Sequence, residues 1–139
     1  MIRIACLALS VVGGTPPAAA ATLRVDVSGI ERFEGVLKVA ICRSSLDETG
    51  CTVGLARRPK GPVESFDFAG LDPGRYAVIC YQDLNGNERL DFGTFGLPAE
   101  PYGLSNDVGR FAPPSFEAAA VTVGTDGAQV GIRVAYFLD

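Results

Sequence analysis

Period-two alternation in short runs, broken by turn residues, constrains this chain more than any other feature. Leu23, Val25 and Val27 interleave with Arg24, Asp26 and Ser28. Leu37, Val39 and Ile41 interleave with Val36, Lys38 and Ala40, and Phe66 and Phe68 alternate with Ser65 and Asp67. Val121 and Val123 precede a turn at Thr125-Asp126-Gly127. Val130, Ile132, Val134 and Tyr136 then alternate with Gln129, Gly131, Arg133 and Ala135. Successive strand side chains point to opposite faces, so each run commits one face to a core. β-branched and aromatic residues fill the runs, and Gly, Pro and Asp separate them. Tyr76 to Tyr81 is apolar on both faces, as a central strand requires. No segment reads as a long amphipathic helix. Short strands at this spacing imply a sandwich or barrel. The expectation is an all-β chain, a single antiparallel β-sandwich in one domain over residues 22–139.

One stretch breaks the rhythm. Residues 92–116 carry Gly93, Gly96, Pro98, Pro101, Gly103, Gly109, Pro113 and Pro114, a long irregular loop for a small domain. Loops of this length are uncommon and are usually functional or disordered. Its aromatics, Phe92, Phe95, Tyr102, Phe111 and Phe116, favour a segment anchored to the sandwich. It reads as a packed flap over an open sheet edge or as a ligand-contacting loop.

The N-terminus reads as an export signal over residues 1–21. Arg3 precedes an almost wholly apolar run from Ile4 to Val12. Gly13, Gly14, Pro16 and Pro17 then break any helix, and Ala18 to Ala21 supply the small residues of a cleavage site. A short apolar N-terminal helix is the alternative. The run is too short to span a bilayer, and no other stretch approaches that length. A periplasmic or secreted location is expected. The formal net charge of −4 argues against nucleic acid and anionic membranes as partners, since both attract clustered Lys and Arg. The one basic cluster, Arg57, Arg58 and Lys60, reads as a solvated loop between strands.

An oxidising compartment permits a disulfide. Cys42 and Cys51 flank the polar segment 43–50 and are the expected pair, with Cys80–Cys42 across a sheet as the rival. Cys80 lies in an apolar run and reads as a buried free thiol. A monomer is expected.

The chain has no histidine. That excludes Ser-His-Asp and Cys-His catalysis and His-ligated metals. No phosphate-binding or dinucleotide-binding glycine pattern occurs. One constellation does carry a mechanism, the run from Asp83 to Asp91. Side-chain oxygens fall at Asp83, Asn85, Asn87 and Asp91, and the Arg89 carbonyl completes the alternation. A hard cation such as Ca²⁺ takes six to eight oxygens from a tightly curled loop, and this spacing matches the first nine positions of an EF-hand-type loop. Gly86 eases the curl, whereas Glu88 sits where such loops carry glycine. Thr94, at the twelfth position, brings no carboxylate. Glu88 or Glu100 is placed to add an oxygen. Two acids and two amides imply weak binding, about 10⁻⁴ to 10⁻³ M. The competing reading is a metal-free hairpin turn, because Asn85-Gly86 is a strong turn signal.

Residues 66–78, with their Pro73-Gly74 turn, resemble the strand–turn–strand signature of transthyretin (prealbumin)-like and collagen-adhesin B-type sandwiches. More specifically, the chain resembles the DUF2141 family of exported bacterial proteins. The likeness runs through Asp83 to Asp91, Phe95 to Asn106 and Arg110 to Phe116. The family pattern carries glycine where this chain has Glu88. The resemblance implies a sandwich and export, and supplies no activity. Other transthyretin-like relatives, hydroxyisourate hydrolases and intradiol dioxygenases, need histidines that this chain lacks.

The leading functional expectation is a non-catalytic binding or structural module with Ca²⁺ at residues 83–91. Its partner would be a small ligand, a glycan or an envelope protein. The second is a small-ligand or glycan binder in which Glu100, Tyr102, Asn106 and Arg110 converge beside Asp83 and Asp91, with Tyr102 stacking and Arg110 gripping an anion; the competing reading of Arg110 is a salt bridge to a nearby acid that pins the loop. The third is an enzyme using only carboxylates, Tyr102 or Arg110.

Overall fold

A computed structural model describes residues 13, 14 and 20–137. The apolar run of the expected export signal lies outside the described residues. Eight strands form two sheets: β1 (Ala21–Ser28), β2 (Val36–Cys42), β3 (Val53–Arg57), β4 (Glu64–Leu71), β5 (Gly74–Asp83), β6 (Tyr102–Leu104), β7 (Val121–Val123) and β8 (Ala128–Arg133). One sheet has the order β4-β1-β8. The other has the order β3-β2-β5-β6, with β7 also pairing to β5. The protein is therefore an all-β sandwich. One α-helical turn, α1 (Phe116–Ala119), and two 3-10 turns, Thr94–Gly96 and Ser105–Asp107, interrupt it. Among the described residues, no helix is long and apolar enough to cross a membrane.

The alternating runs form the core as their patterning requires. Leu23, Val25 and Val27 of β1, Phe66 and Phe68 of β4 and Ile132 of β8 face Leu37, Val39 and Ile41 of β2 and Tyr76, Val78 and Cys80 of β5. All pairings are antiparallel except β1 with β8, which is parallel. The first and last strands can pair this way because the rest of the chain is the long crossover that parallel strands need.

β5 is central and apolar on both faces because each face has its own cover. Its other face carries Ala77, Ile79 and Tyr81 into a second cluster with Tyr102, Leu104, Ala119 and Phe116. Those partners come from residues 92–120. The irregular segment thus contributes edge strand β6 and also blankets the outer sheet face. Tyr102 and Phe116 anchor it, whereas Phe92, Phe95 and Phe111 are 61%, 94% and 102% exposed and anchor nothing.

Of the basic cluster, Arg58 and Lys60 lie exposed in the loop expected, and only Arg57 does not. Arg57 ends β3, the exposed edge strand, where its guanidinium lies 3.3 Å from Glu64 and 4.7 Å from the Phe66 ring centre. Cys42 and Cys51 form the expected disulfide, closing a short loop at the end of β2. In the chain-entropy model a loop of this size stabilises the fold by about 2–3 kcal/mol. Cys80 is the buried free thiol, and burial pushes its pKa strongly up.

Candidate functional site

The loop from Asp83 to Asp91 leaves the end of β5 as a chain of side-chain-capped turns. Asp83 is 1% exposed and pairs with Val36 in the β2–β5 ladder. Gly35 permits that close approach. It has φ +67°, and a Cβ there would lie 2.2 Å from the Asp83 carbonyl oxygen. The Asp83 carboxylate accepts the Gly86 N–H at 2.9 Å and the Glu88 N–H at 2.8 Å, one on each oxygen. Asn85 Oδ1 accepts the Asn87 N–H, and Asn87 Oδ1 accepts the Arg89 N–H, both at 3.2 Å. The amide groups of Asn85 and Asn87 both donate to the Asp91 carboxylate. Asp83, Asn85, Asn87 and Asp91 thus each turn a side-chain oxygen into the curl, at the positions read from the sequence, and Arg89 between them has none.

Glu100 closes the loop from outside. It is 5% exposed, and its two oxygens accept the Leu84 N–H at 3.0 Å and the Asp91 N–H at 3.2 Å. It therefore ties the two ends of the loop together. The acids raise a negative potential felt by their neighbour Tyr81. Burial first, then Asp83, Glu100, Glu88 and Asp91, push its phenol up to about 12.

Glu88 takes the left-handed conformation, φ +64°, that a glycine would accept without strain. For an ordinary residue that conformation costs about 1–2 kcal/mol. Its exposed contact with Lys38, at 3.5 Å, returns little. Glu88→Gly should therefore stabilise the fold by about 1 kcal/mol after glycine's extra unfolded-state entropy is counted. Urea unfolding measures this, and a loss of stability would show that the Glu88 side chain contributes more than its strain removes.

The donor set is all oxygen, the type a hard cation takes, but its five donors fall short of six to eight and include amides and a carbonyl beside two carboxylates. Among the described residues, no three His, Cys, Asp or Glu side chains lie together as a metal cluster.

The four residues of the expected ligand site are occupied by the fold itself. Glu100 clamps the loop as above. The Tyr102 hydroxyl donates to the Gly109 carbonyl at 2.6 Å. Asn106, at φ +59°, donates its amide to the carbonyls of Ala118 and Ala120 at 3.0 and 3.1 Å. Arg110 lies over the Tyr102 ring, 4.5 Å from its centre. It donates to the carbonyls of Tyr102, Arg133 and Ala135 at 2.6, 3.1 and 3.1 Å. Tyr102 and Ala135 form a two-way backbone bridge at the same place. Arg110 therefore fastens the irregular segment to the chain leaving β8. Ser105 was not singled out from the sequence. Fully buried, its hydroxyl accepts the Val78 N–H at 2.9 Å and donates to the Ala119 carbonyl at 2.5 Å.

The model of one protein family, described as an uncharacterized protein conserved in bacteria (DUF2141), matches residues 25–131. The chain belongs to the DUF2141 family. The DUF2141 match takes in six complete strands, β2 to β7, most of β8 and the second half of β1, with the 83–91 loop, the Glu100 clamp and Arg110. No curated protein and no solved structure matches the chain.

Proposed function

We propose that this DUF2141 protein is an exported, non-catalytic binding or structural module whose 83–91 loop takes Ca²⁺ weakly. The likeness to transthyretin-type sandwiches belongs to the same reading. The observation that carries it is the curl of the loop. Asp83 accepts the N–H groups of Gly86 and Glu88, and Glu88 holds the left-handed turn at φ +64°. Each Asp83 oxygen accepts one of these protein donors, and a carboxylate oxygen has lone pairs for two. Asp83, Asn85, Asn87 and Asp91 would hold the ion, with the Arg89 carbonyl as the fifth donor.

A polar ligand or glycan on Glu100, Tyr102, Asn106 and Arg110 has less support, because Glu100, Tyr102, Arg110 and the amide nitrogen of Asn106 are spent on the backbone. The same engagement weakens the reading as a carboxylate-based enzyme.

Calorimetric titration tests the ion. The expected result is saturable heat with a dissociation constant of about 10⁻⁴ to 10⁻³ M and a higher melting temperature with Ca²⁺ than with a chelator. No heat and an unchanged melting temperature would defeat the proposal.

A further inference from the structure

The irregular segment does not close fully on the sheet it covers. A cavity of about 470 Å³ is left between them. β5 and β6 supply Ile79, Tyr102 and Leu104 to its lining, and the irregular segment supplies Phe92, Leu97 and Phe111. Two sets of bonds fix the walls. Residues 92–98 are closed on themselves, with Phe92 bridged to Pro98 and the Gly93 N–H donating to the Leu97 carbonyl at 2.8 Å. The stretch from Gly109 is held by the Tyr102 hydroxyl on the Gly109 carbonyl and by the Arg110 fastening. Pro98, Pro113 and Pro114 also line the space, and their fixed φ stiffens both walls. The cavity is thus preformed, and its size falls within the roughly 300–1,000 Å³ of small-ligand sites.

The lining decides what can enter. Among the described residues, no charged side chain lines the cavity. Its one polar side-chain group, the Tyr102 hydroxyl, is spent on the Gly109 carbonyl. A charged group would lose its water there with no side chain to replace it. The depression next to it, over β2 and β3, does carry charges, but they favour neither sign. Lys38 is paired with Glu88, and Asp47 is held by Ser45, Thr49 and the Gly50 N–H. Glu48 and Arg89, which form no ion pair among the described residues, have opposite charges. Rings from Phe92, Tyr102, Phe111 and Phe137 face the space and suit edge-on or offset contact with another ring. Phe92 and Phe111 are exposed, and clustered exposed apolar side chains mark binding sites.

We propose that this cavity binds a compact, uncharged hydrophobic molecule, one per chain. A walled, concave site takes a single small molecule, whereas a bilayer or a second copy presents a broad surface. The inference rests on the binding reading of the module but not on the calcium loop, since no side chain proposed for the ion lines the cavity. The titrations are run in chelator, so their failure leaves the calcium reading standing, and failure of the calcium titration leaves this one.

The probe is N-phenyl-1-naphthylamine, an uncharged molecule that fluoresces in apolar surroundings. Beside it runs 8-anilino-1-naphthalenesulfonate, the same rings with an added sulfonate. Wild-type protein should bind the neutral probe saturably, one per chain, and the sulfonate at least tenfold more weakly. Phe92→Asp combined with Phe111→Asp should weaken the neutral probe tenfold or more, and a preserved melting temperature shows the variant folded. Should the pair unfold, Phe111→Asp alone, at a fully exposed side chain, carries the test with a loss of at least threefold. Phe95→Asp, exposed but outside the lining, should leave binding unchanged. The proposal is overturned if wild-type protein gives no saturable signal, or if the sulfonate binds as tightly as the neutral probe. It also fails if the cavity variants bind as wild type does, or if Phe95→Asp weakens binding as much as they do. Probe binding only by a self-associated form, or sedimentation with phosphatidylcholine vesicles without probe binding, overturns it as well.

Discussion

Arg110→Met is expected to lower the unfolding free energy by about 3 kcal/mol, a fall in melting temperature of roughly 12 °C for a domain of this size. Methionine keeps much of the side chain's apolar stem and removes the guanidinium. Three backbone carbonyls, those of Tyr102, Arg133 and Ala135, lose a close charged donor, and that of Tyr136 loses a longer one at 3.5 Å. The cation over the Tyr102 ring goes with them. The Arg110 side chain is 11% exposed, so water replaces little of this. Two of the carbonyls, Tyr102 and Ala135, keep their backbone partners, which holds the loss below the sum of three charged hydrogen bonds. The contact with Asp107, at 3.8 Å on an exposed carboxylate, contributes little. Arg110→Lys should recover only part of the loss, because one ammonium cannot reproduce the planar fork. A loss under about 1 kcal/mol in urea unfolding would mean that these carbonyls are readily hydrated and that the segment is fastened elsewhere.

Asp83→Ala is expected to cost about 2–3 kcal/mol and to abolish any calcium dependence of stability. The carboxylate is buried and receives two backbone donors, Gly86 and Glu88. Alanine leaves both without an acceptor, and the left-handed turn at Glu88 loses the bond that holds it. Asp83→Asn keeps one acceptor oxygen, so about half the loss should return while the charge for a cation is gone. Melting curves of both variants, with Ca²⁺ and with chelator, separate the two roles. A neutral Asp83→Ala variant would show that the loop keeps its shape without this anchor.

Much of the sandwich was legible because alternation is a direct record of one-sided burial. β1, β2, β4 and β5 bury the residues that the pattern selects, as do Ile132 and Val134 in and after β8. β3 was not legible for the same reason in reverse. All five of its residues are exposed at the sheet edge, and Gly54 sits inside it, so no buried face is written into the residues. β6 is three residues among glycines and prolines. Its strand geometry comes from pairing with β5 and the Tyr102–Ala135 bridge. Gly103 there lies so near the Arg133 carbonyl that a Cβ would approach it to 2.4 Å. That close approach belongs to tertiary structure and leaves no local pattern.

The 83–91 loop was legible as a series of oxygens because Asp and Asn side chains cap their own turns locally. The burial of Asp83 and the closing of the loop by Glu100, sixteen residues from Leu84, were not. Arg110 reads from sequence as a grip on an anionic ligand or as a salt bridge pinning the loop; it pins the segment, but mainly through carbonyls, and a carbonyl has no residue identity to read. The aromatics of the irregular segment misled for a related reason. Five looked like anchors, but only Tyr102 and Phe116 reach the sheet, and the others stand outside at the cavity or in solvent.

The most direct test of the calcium reading is a Ca²⁺ titration of ¹⁵N-labelled protein followed by its amide resonances. The backbone amides of Gly86 and Glu88, which point at Asp83, and the side-chain amides of Asn85 and Asn87 should move together and saturate near millimolar Ca²⁺, with the sheet amides still. Resonances of these four residues that stay in place up to about 10 mM Ca²⁺, well above the weakest range for such loops, would contradict it.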